Sequence, residues 1–376
     1  MNSASNSSRC SSGRSLGPAL LALASLLLVP GVRGADPAVP IPVLVITTYE
    51  TGNDRGDTPG ELQFWVERQN LDQSIKVPGV DHPLLTNGRG LYAMVSGTTS
   101  RCAVQLMALA SDPRFDLRRT YFLLSGIGGG DPKVISLASA VWVQHVIDGN
   151  PAFEIDSREI PAAWPYGLVA FGATAPGKGS ANVDSVPAAG ASEEGSGGVG
   201  SVAFKLSPSL VRWAYELTKD VRIPDSDAVR AFGRKFEGYP NAQRAPFVVM
   251  ADSMGSDRFF HGALMTRWAE DWDRIYTRGA GSFAISDCED AGVCIALQRL
   301  SQMGRVDFNR LLILRTACNF TVPPAGVSAE GSLFGDTISD SSGVAYIPAL
   351  EADYRVGSVV VSTLLQNWEK YRDHAP

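Results

Sequence analysis

The feature that most limits the fold is a recurring unit. A short, strongly apolar run is followed by a turn-rich stretch and then by an amphipathic helical pattern. The apolar runs are Val43–Ile46, Gly90–Ser96, Thr120–Leu124, Ala140–Ile147, Pro246–Ala251 and Leu311–Arg315. Helical periodicity covers Cys102–Ala110, Ser207–Asp220, Gly262–Tyr276, Glu289–Met303 and Val356–Tyr371. Apolar runs this short, without polar alternation, belong to strands buried on both faces. The pattern therefore predicts an α/β fold, a sheet covered by helices on its two sides. Ligands in such folds sit at the C-terminal ends of strands. The residues just beyond each run are thus the candidates for chemistry.

Those strand ends are polar. The first run leads into Tyr49-Glu50, with Glu61 opening the next helix, and the second into Ser96-Gly97-Thr98-Thr99. The third ends in Ser125-Gly126-Ile127-Gly128-Gly129-Gly130. Further on come Asp252–Gly262, which contains Phe259-Phe260-His261, then Asp287-Cys288-Glu289-Asp290, then Arg315–Phe320 with Asn319. Each has a plain structural reading. Glycines after a strand turn the chain, and SGIGGG lacks the spacing of a dinucleotide fingerprint. Asp287 can cap the helix that follows it. Phenylalanine pairs are usually core, Asn319 can hold a turn, and His145 sits within a strand pattern. Their shared position at strand ends is what makes them site candidates. There is no GxSxG elbow, no P-loop and no metal-ligand spacing, and the chain has only four histidines. Catalysis here falls to carboxylates, amides and backbone, with no metal or organic cofactor expected.

The N-terminus reads as a leader. Residues 1–15 carry Arg9 and Arg14 and no acid, an apolar run from Leu16 to Val32 is broken by Pro30, and small residues follow. This is the pattern of a secretory signal peptide over residues 1–35, implying an exported protein, periplasmic or secreted. Residues 36–376 then form a single domain. Losing the leader's three arginines moves the net charge from −6 to about −9. An acidic chain without a basic run is a poor partner for nucleic acid. Cys102, Cys288, Cys294 and Cys318 are too sparse for a disulfide scaffold and are expected to be free, mostly buried thiols. Residues 177–201 are rich in Gly, Ser and Ala and read as a mobile surface loop or lid. Beyond the leader no apolar stretch is long enough to span a bilayer.

Several blocks, in order along the chain, carry a resemblance. They are GNDRGDTPGELQFW (52–65), DPRFDL (112–117), SGIGGGDP (125–132), EIDSREIP with Trp164 (154–164), Glu289-Asp290 with the helix after it, Arg315–Asn319, and PALEADYRVG (348–357). With them the sequence resembles the purine nucleoside permease family over essentially all of residues 36–376. That family is similar, more distantly, to nucleoside phosphorylases and nucleosidases. The resemblance implies a three-layer αβα sandwich around a mixed, partly barrel-like sheet, with purine nucleosides as ligands. It implies that Glu289, next to Asp290, holds the ribose hydroxyls. Asn319 would contact purine N7, Phe259 or Phe260 would stack on the base, and His261 would reach the 5′-hydroxyl. Ser96, Gly97, Thr98, Gly126 and Arg315 complete the expected substrate-binding set. A base near the first strand is implied, with Glu50 and Glu61 as the candidates.

The chemistry suits those residue types. A carboxylate accepts two hydrogen bonds from a cis-diol. N-glycosidic cleavage puts positive charge on the ribose and negative charge on the departing purine, so an anion near the first and a donor at N7 both stabilise it. Asn319 can donate a hydrogen bond but cannot deliver a proton. The acids of the first loop repel phosphate and can activate water, which favours hydrolysis, with phosphate as the alternative co-substrate. Thr98-Thr99 stands where the family commonly has Ile-Gly, and Cys318 where it usually has Ser. Binding without turnover, hydrolysis and phosphorolysis all stay open, and a homo-oligomer is a further expectation.

Overall fold

Ten strands make one mixed sheet in the computed structural model, which describes residues 37–179, 202–337 and 343–376. The leader and nearly all of the Gly/Ser-rich 177–201 stretch lie outside the described residues. The strands are β1 (Val43–Thr47), β2 (Gln73–Ile75), β3 (Leu84–Thr86), β4 (Leu91–Val95), β5 (Tyr121–Gly130), β6 (Ala140–Asp148), β7 (Ala203–Lys205), β8 (Val248–Gly255), β9 (Phe283–Asp287) and β10 (Leu311–Phe320). Their order is β7-β6-β8-β9-β5-β1-β4-β3-β2, with β10 joining β5 to β6.

β5 explains this topology. Its first half pairs with β1 in parallel, Tyr121–Leu124 against Val43–Ile46. Its far end, Gly129 and Gly130, pairs instead with Ser286 and Ile285 of β9. β10 runs parallel along its other edge for the whole length. Leu314–Thr316 of β10 then pairs with Trp142–Ala140 of β6, and β6, β8 and β9 pair in parallel sequence. Five strands, β5, β10, β6, β8 and β9, thereby close a ring. The remaining strands extend from it as open wings.

Closure needs the glycines of SGIGGG, which lie inside β5 and do not turn the chain as expected. A side chain at Gly128 would strike the Ser286 carbonyl of β9, and one at Gly126 would strike Glu61 and Arg315. Glycine within a strand marks such a close approach. β10 likewise runs on to Phe320, beyond its apolar run, with a bulge between Ala317 and Asn319. Bulges re-aim side chains near sites, and here Asn319 is placed opposite Gly129.

Helices cover the sheet: α1 (Gln63–Gln69), α2 (Thr99–Ser111), α3 (Pro208–Thr218), α4 (Ala263–Tyr276), α5 (Asp290–Gln302) and α6 (Tyr346–Gln366). All of β1 is buried, and most of α5 is too, because α5 packs against both the sheet and α2. Gly292 of α5 lies against the Thr99 carbonyl and Cys102 Sγ of α2. α6 starts ten residues before the expected Val356. Pro348 falls in its first turn, where a missing N–H costs no intrahelical bond. Gly357, midway along α6, admits the Trp65 ring of α1. No helix among the described residues is long and apolar enough to cross a membrane. The four cysteines within them are free, Cys102 and Cys294 being buried.

Candidate active site

A cleft of about 160 Å³ opens where the C-terminal ends of β1, β9 and β10 meet the glycines of β5. Glu61, Glu289, Asp287, Asn319, Cys318, Phe259 and Phe260 are among the side chains that line it.

Behind the cleft wall lies Arg315, fully buried on β10. Its Nε donates to Asp290 Oδ1 at 2.9 Å, and its Nη2 donates to Asp290 Oδ1 at 2.7 Å and to Glu289 Oε2 at 2.8 Å. Glu61 Oε1 and Asp287 Oδ1 each lie 3.9 Å from the guanidinium. One cation therefore faces four carboxylates in a low-dielectric interior. Crowding of like charges in such a place favours the protonated forms of acids. Burial pushes Glu289 up to about 7 against the opposing pull of Arg315. Burial, helped by Asp290, also holds Asp287 well above the usual carboxylate range.

Glu61 is oriented as a base would be. Its Oε2 accepts from Thr48 N (2.8 Å) and Thr48 Oγ1 (2.5 Å), and its Oε1 accepts from Ile127 N (2.8 Å). A carboxylate has about four acceptor sites, so one remains, on Oε1. Gly126 makes this possible by letting Glu61 approach Arg315 over bare backbone. Across the cleft, Glu289 spends Oε2 on Arg315 and on Cys288 N (3.2 Å). Its Oε1 makes no hydrogen bond among the described residues. Asn319 Nδ2 donates to Cys318 Sγ at 3.3 Å, and Cys318 Sγ lies 3.4 Å from the Gly128 carbonyl.

The expected site residues divide into three groups. Glu61, Glu289, Asn319, Phe259 and Phe260 come together on the cleft. The two phenyl rings differ, since Phe260 is packed edge-on against Trp268 at 5.2 Å while Phe259 is 53 % exposed at the mouth. Gly126, Asp290 and Arg315 sit behind the lining, so their contact is with the acids and not with a ligand. Asp290 is fully buried, its Oδ2 taken by Ser253 Oγ at 2.6 Å.

Glu50, Ser96, Gly97, Thr98 and His261 are not among the lining residues. Glu50 accepts from the backbone N–H groups of Thr51, Gly60, Leu62 and Gln63. It closes the loop and caps α1, so it is no candidate base. Ser96 is buried and donates to the Thr47 carbonyl at 3.1 Å. Gly97 and Thr98 lead into α2. His261 Nε2 is 3.1 Å from Ser332 Oγ, and burial holds its pKa below the usual histidine value.

Tyr49, Arg258 and Asp287 are among the lining residues to which the sequence assigned no ligand role. Tyr49 hydrogen-bonds through its hydroxyl to Tyr346 at 3.1 Å, and burial beside Glu61 pushes its pKa far up. Arg258 is tied to Glu154 (2.8 Å) and to the Gly149 carbonyl (3.2 Å). Asp287, expected only as a cap, does cap α5 through Oδ1, which accepts from Glu289 N and Asp290 N at 2.9 and 2.7 Å. It also lines the cleft. Its place at the end of β9, already among the polar strand ends, is the signal for this second position.

The cleft lies at strand ends of an α/β sheet and is walled by carboxylates, an amide and an aromatic ring, the place where ligands of such folds sit. Residues 40–376 match the purine nucleoside permease family, and the chain belongs to that family. It is 25 % identical over 322 residues to the purine nucleoside permease of Candida albicans, spanning 82 % of this chain and 73 % of that one. It is 26 % identical over 271 residues to a probable purine nucleoside permease of Schizosaccharomyces pombe, spanning 72 % and 74 %. Among solved structures it is similar to a 5′-methylthioadenosine/S-adenosylhomocysteine nucleosidase from Helicobacter pylori. That match has 10 % identity and a TM-score of 0.49, covering 87 % of this chain and 100 % of the other.

Proposed function

We propose that this cleft binds a purine nucleoside and hydrolyses its N-glycosidic bond. The observation that carries the reading is convergence. The Glu61 and Glu289 carboxylates, the Asn319 amide and the Phe259 ring all line one cleft. In this reading Glu289 Oε1 accepts from a ribose hydroxyl, and Phe259 covers the base. The free acceptor site of Glu61 takes a proton from water as its oxygen attacks C1′. The C1′–N9 electron pair leaves with the purine, whose N7 is hydrogen-bonded by Asn319 and which then takes a proton from solvent. The products are free base and ribose. The reading carries with it a nucleoside phosphorylase-like, three-layer arrangement for residues 36–376 and export by the residue 1–35 leader.

Water is favoured over phosphate on electrostatic grounds. The cleft is bounded by several acids, the guanidinium of Arg315 is buried and spent on carboxylates, and Arg258 is engaged by Glu154. A phosphate entering here meets those acids, and must draw Arg258 away from Glu154 to be offset. The test is purified protein with inosine, guanosine and adenosine, with and without phosphate, read as free base released. Release without phosphate is expected. Release only with phosphate makes the protein a phosphorylase. Tight binding with no release, unaffected by Glu61→Ala, makes it a binding protein for uptake.

A further inference from the structure

Asp287 is more than a helix cap. Its side chain is fully buried yet lines the cleft, and only Oδ1 is used, by the two α5 amides. Oδ2 is buried with no hydrogen-bond partner among the described residues. A buried oxygen left so costs stability unless it bears a proton or meets a ligand. Three other carboxylates already compete for the single guanidinium.

We propose, resting on the nucleoside reading above, that Asp287 is a specificity-determining residue. It holds a proton on Oδ2 in the free protein and donates it as a hydrogen bond to one sugar hydroxyl, while Glu289 Oε1 accepts from its neighbour. Donor and acceptor side by side recognise a vicinal diol by polarity as well as shape, because each hydroxyl can both give and accept. The charged groups facing Asp287 fit a neutral acid. Asp290 and Glu289 lie beside it on and before α5, Arg315 approaches from β10 at 3.9 Å, and Glu61 reaches the same guanidinium from the loop before α1. Arg315 donates its short bonds to Asp290 and Glu289 and none to Asp287. The upward displacement of the Asp287 pKa agrees with this.

The experiment compares wild type, Asp287→Ala and Asp287→Asn by calorimetric binding of inosine, 2′-deoxyinosine and 3′-deoxyinosine from pH 6 to pH 9. Circular dichroism checks that each variant is folded. Asp287→Ala should weaken inosine binding at least about tenfold, as for a lost buried hydrogen bond. That loss should vanish with the one deoxynucleoside lacking the recognised hydroxyl. Asp287→Asn, whose amide keeps an acceptor for α5 and a donor for the sugar, should recover most of the loss. Any loss of affinity that ionisation of Asp287 causes at rising pH should be absent from it. Infrared difference spectra of the free proteins should show a protonated carboxyl in wild type that Asp287→Asn lacks. Asn no better than Ala, equal losses on all three ligands, or no protonated carboxyl overturns the assignment while nucleoside binding by wild type stands. Wild type that binds no nucleoside overturns the parent reading and this assignment together.

Discussion

Replacing Arg315 with Met tests the electrostatic centre of the site. Methionine has similar length and no charge, so the perturbation is the loss of one buried cation. Arg315 touches Asp290 and Glu289 directly and lies 3.9 Å from Glu61 and Asp287. Removing one member of a buried ion network costs about 3–5 kcal/mol, because the partners are left uncompensated. At roughly 2 °C per kcal/mol for a domain of this size, the melting temperature should fall by about 6–10 °C. The deficit has a defined pH dependence. Without the guanidinium the folded acids have raised pKa values while the unfolded chain keeps ordinary ones. The native state then holds extra protons, so the variant loses most stability at high pH and recovers it as pH falls and the acids protonate. Thermal and urea melts of both proteins at pH 8, 7, 6 and 5 measure this. A deficit that stays constant from pH 8 to pH 5, or one below about 1 kcal/mol at pH 8, refutes the argument that Arg315 is held by charge.

Other perturbations separate scaffold from chemistry. Glu50→Gln should lower stability by about 1–3 kcal/mol, the cost of a broken multidentate cap, while leaving turnover per folded molecule intact; a selective loss of turnover would return Glu50 to the site. Gly126→Ala puts a methyl group against Glu61 and 2.6 Å from Arg315 Nη1. Both stability, by about 1–3 kcal/mol, and activity should fall, and an unchanged melting temperature would contradict the close approach. Away from the cleft, burial and Asp252 push Asp273 up to about 8. Its proton is kept in the folded state and lost in the unfolded one from about pH 4 upward, so stability should decline as pH rises toward 8. Urea melts should show that decline flattened in Asp273→Asn; identical slopes would show that Asp273 is ionised in the folded protein.

Much of this architecture is legible in the sequence because burial on both faces writes itself as apolar runs. β1, β4 and β6 fall where such runs lie, and α4 and α5 match their periodicity within a residue at each end. β9 does not, because Ser286 and Asp287 break a run of only five residues, and it is recognisable only through its pairing in the closed ring. The far halves of β5 and β10 are hidden for a related reason. Their glycines and polar residues serve the approach of neighbouring strands and the cleft, which no local propensity records. The same blindness leaves Glu50 and Glu61 as equal candidates for the base. Both are acids of one loop, and only the folded loop shows which carboxylate meets backbone amides and which meets the cleft.

The most direct measurement is single-turnover release of hypoxanthine from inosine, without phosphate, by wild type and Glu61→Gln. A general base supplies about 10²–10⁴ of rate, and Gln keeps the size of the side chain. Free base is expected from wild type, and a rate at least about a hundredfold lower from Glu61→Gln, with inosine still bound. Equal rates from the two proteins would contradict that expectation.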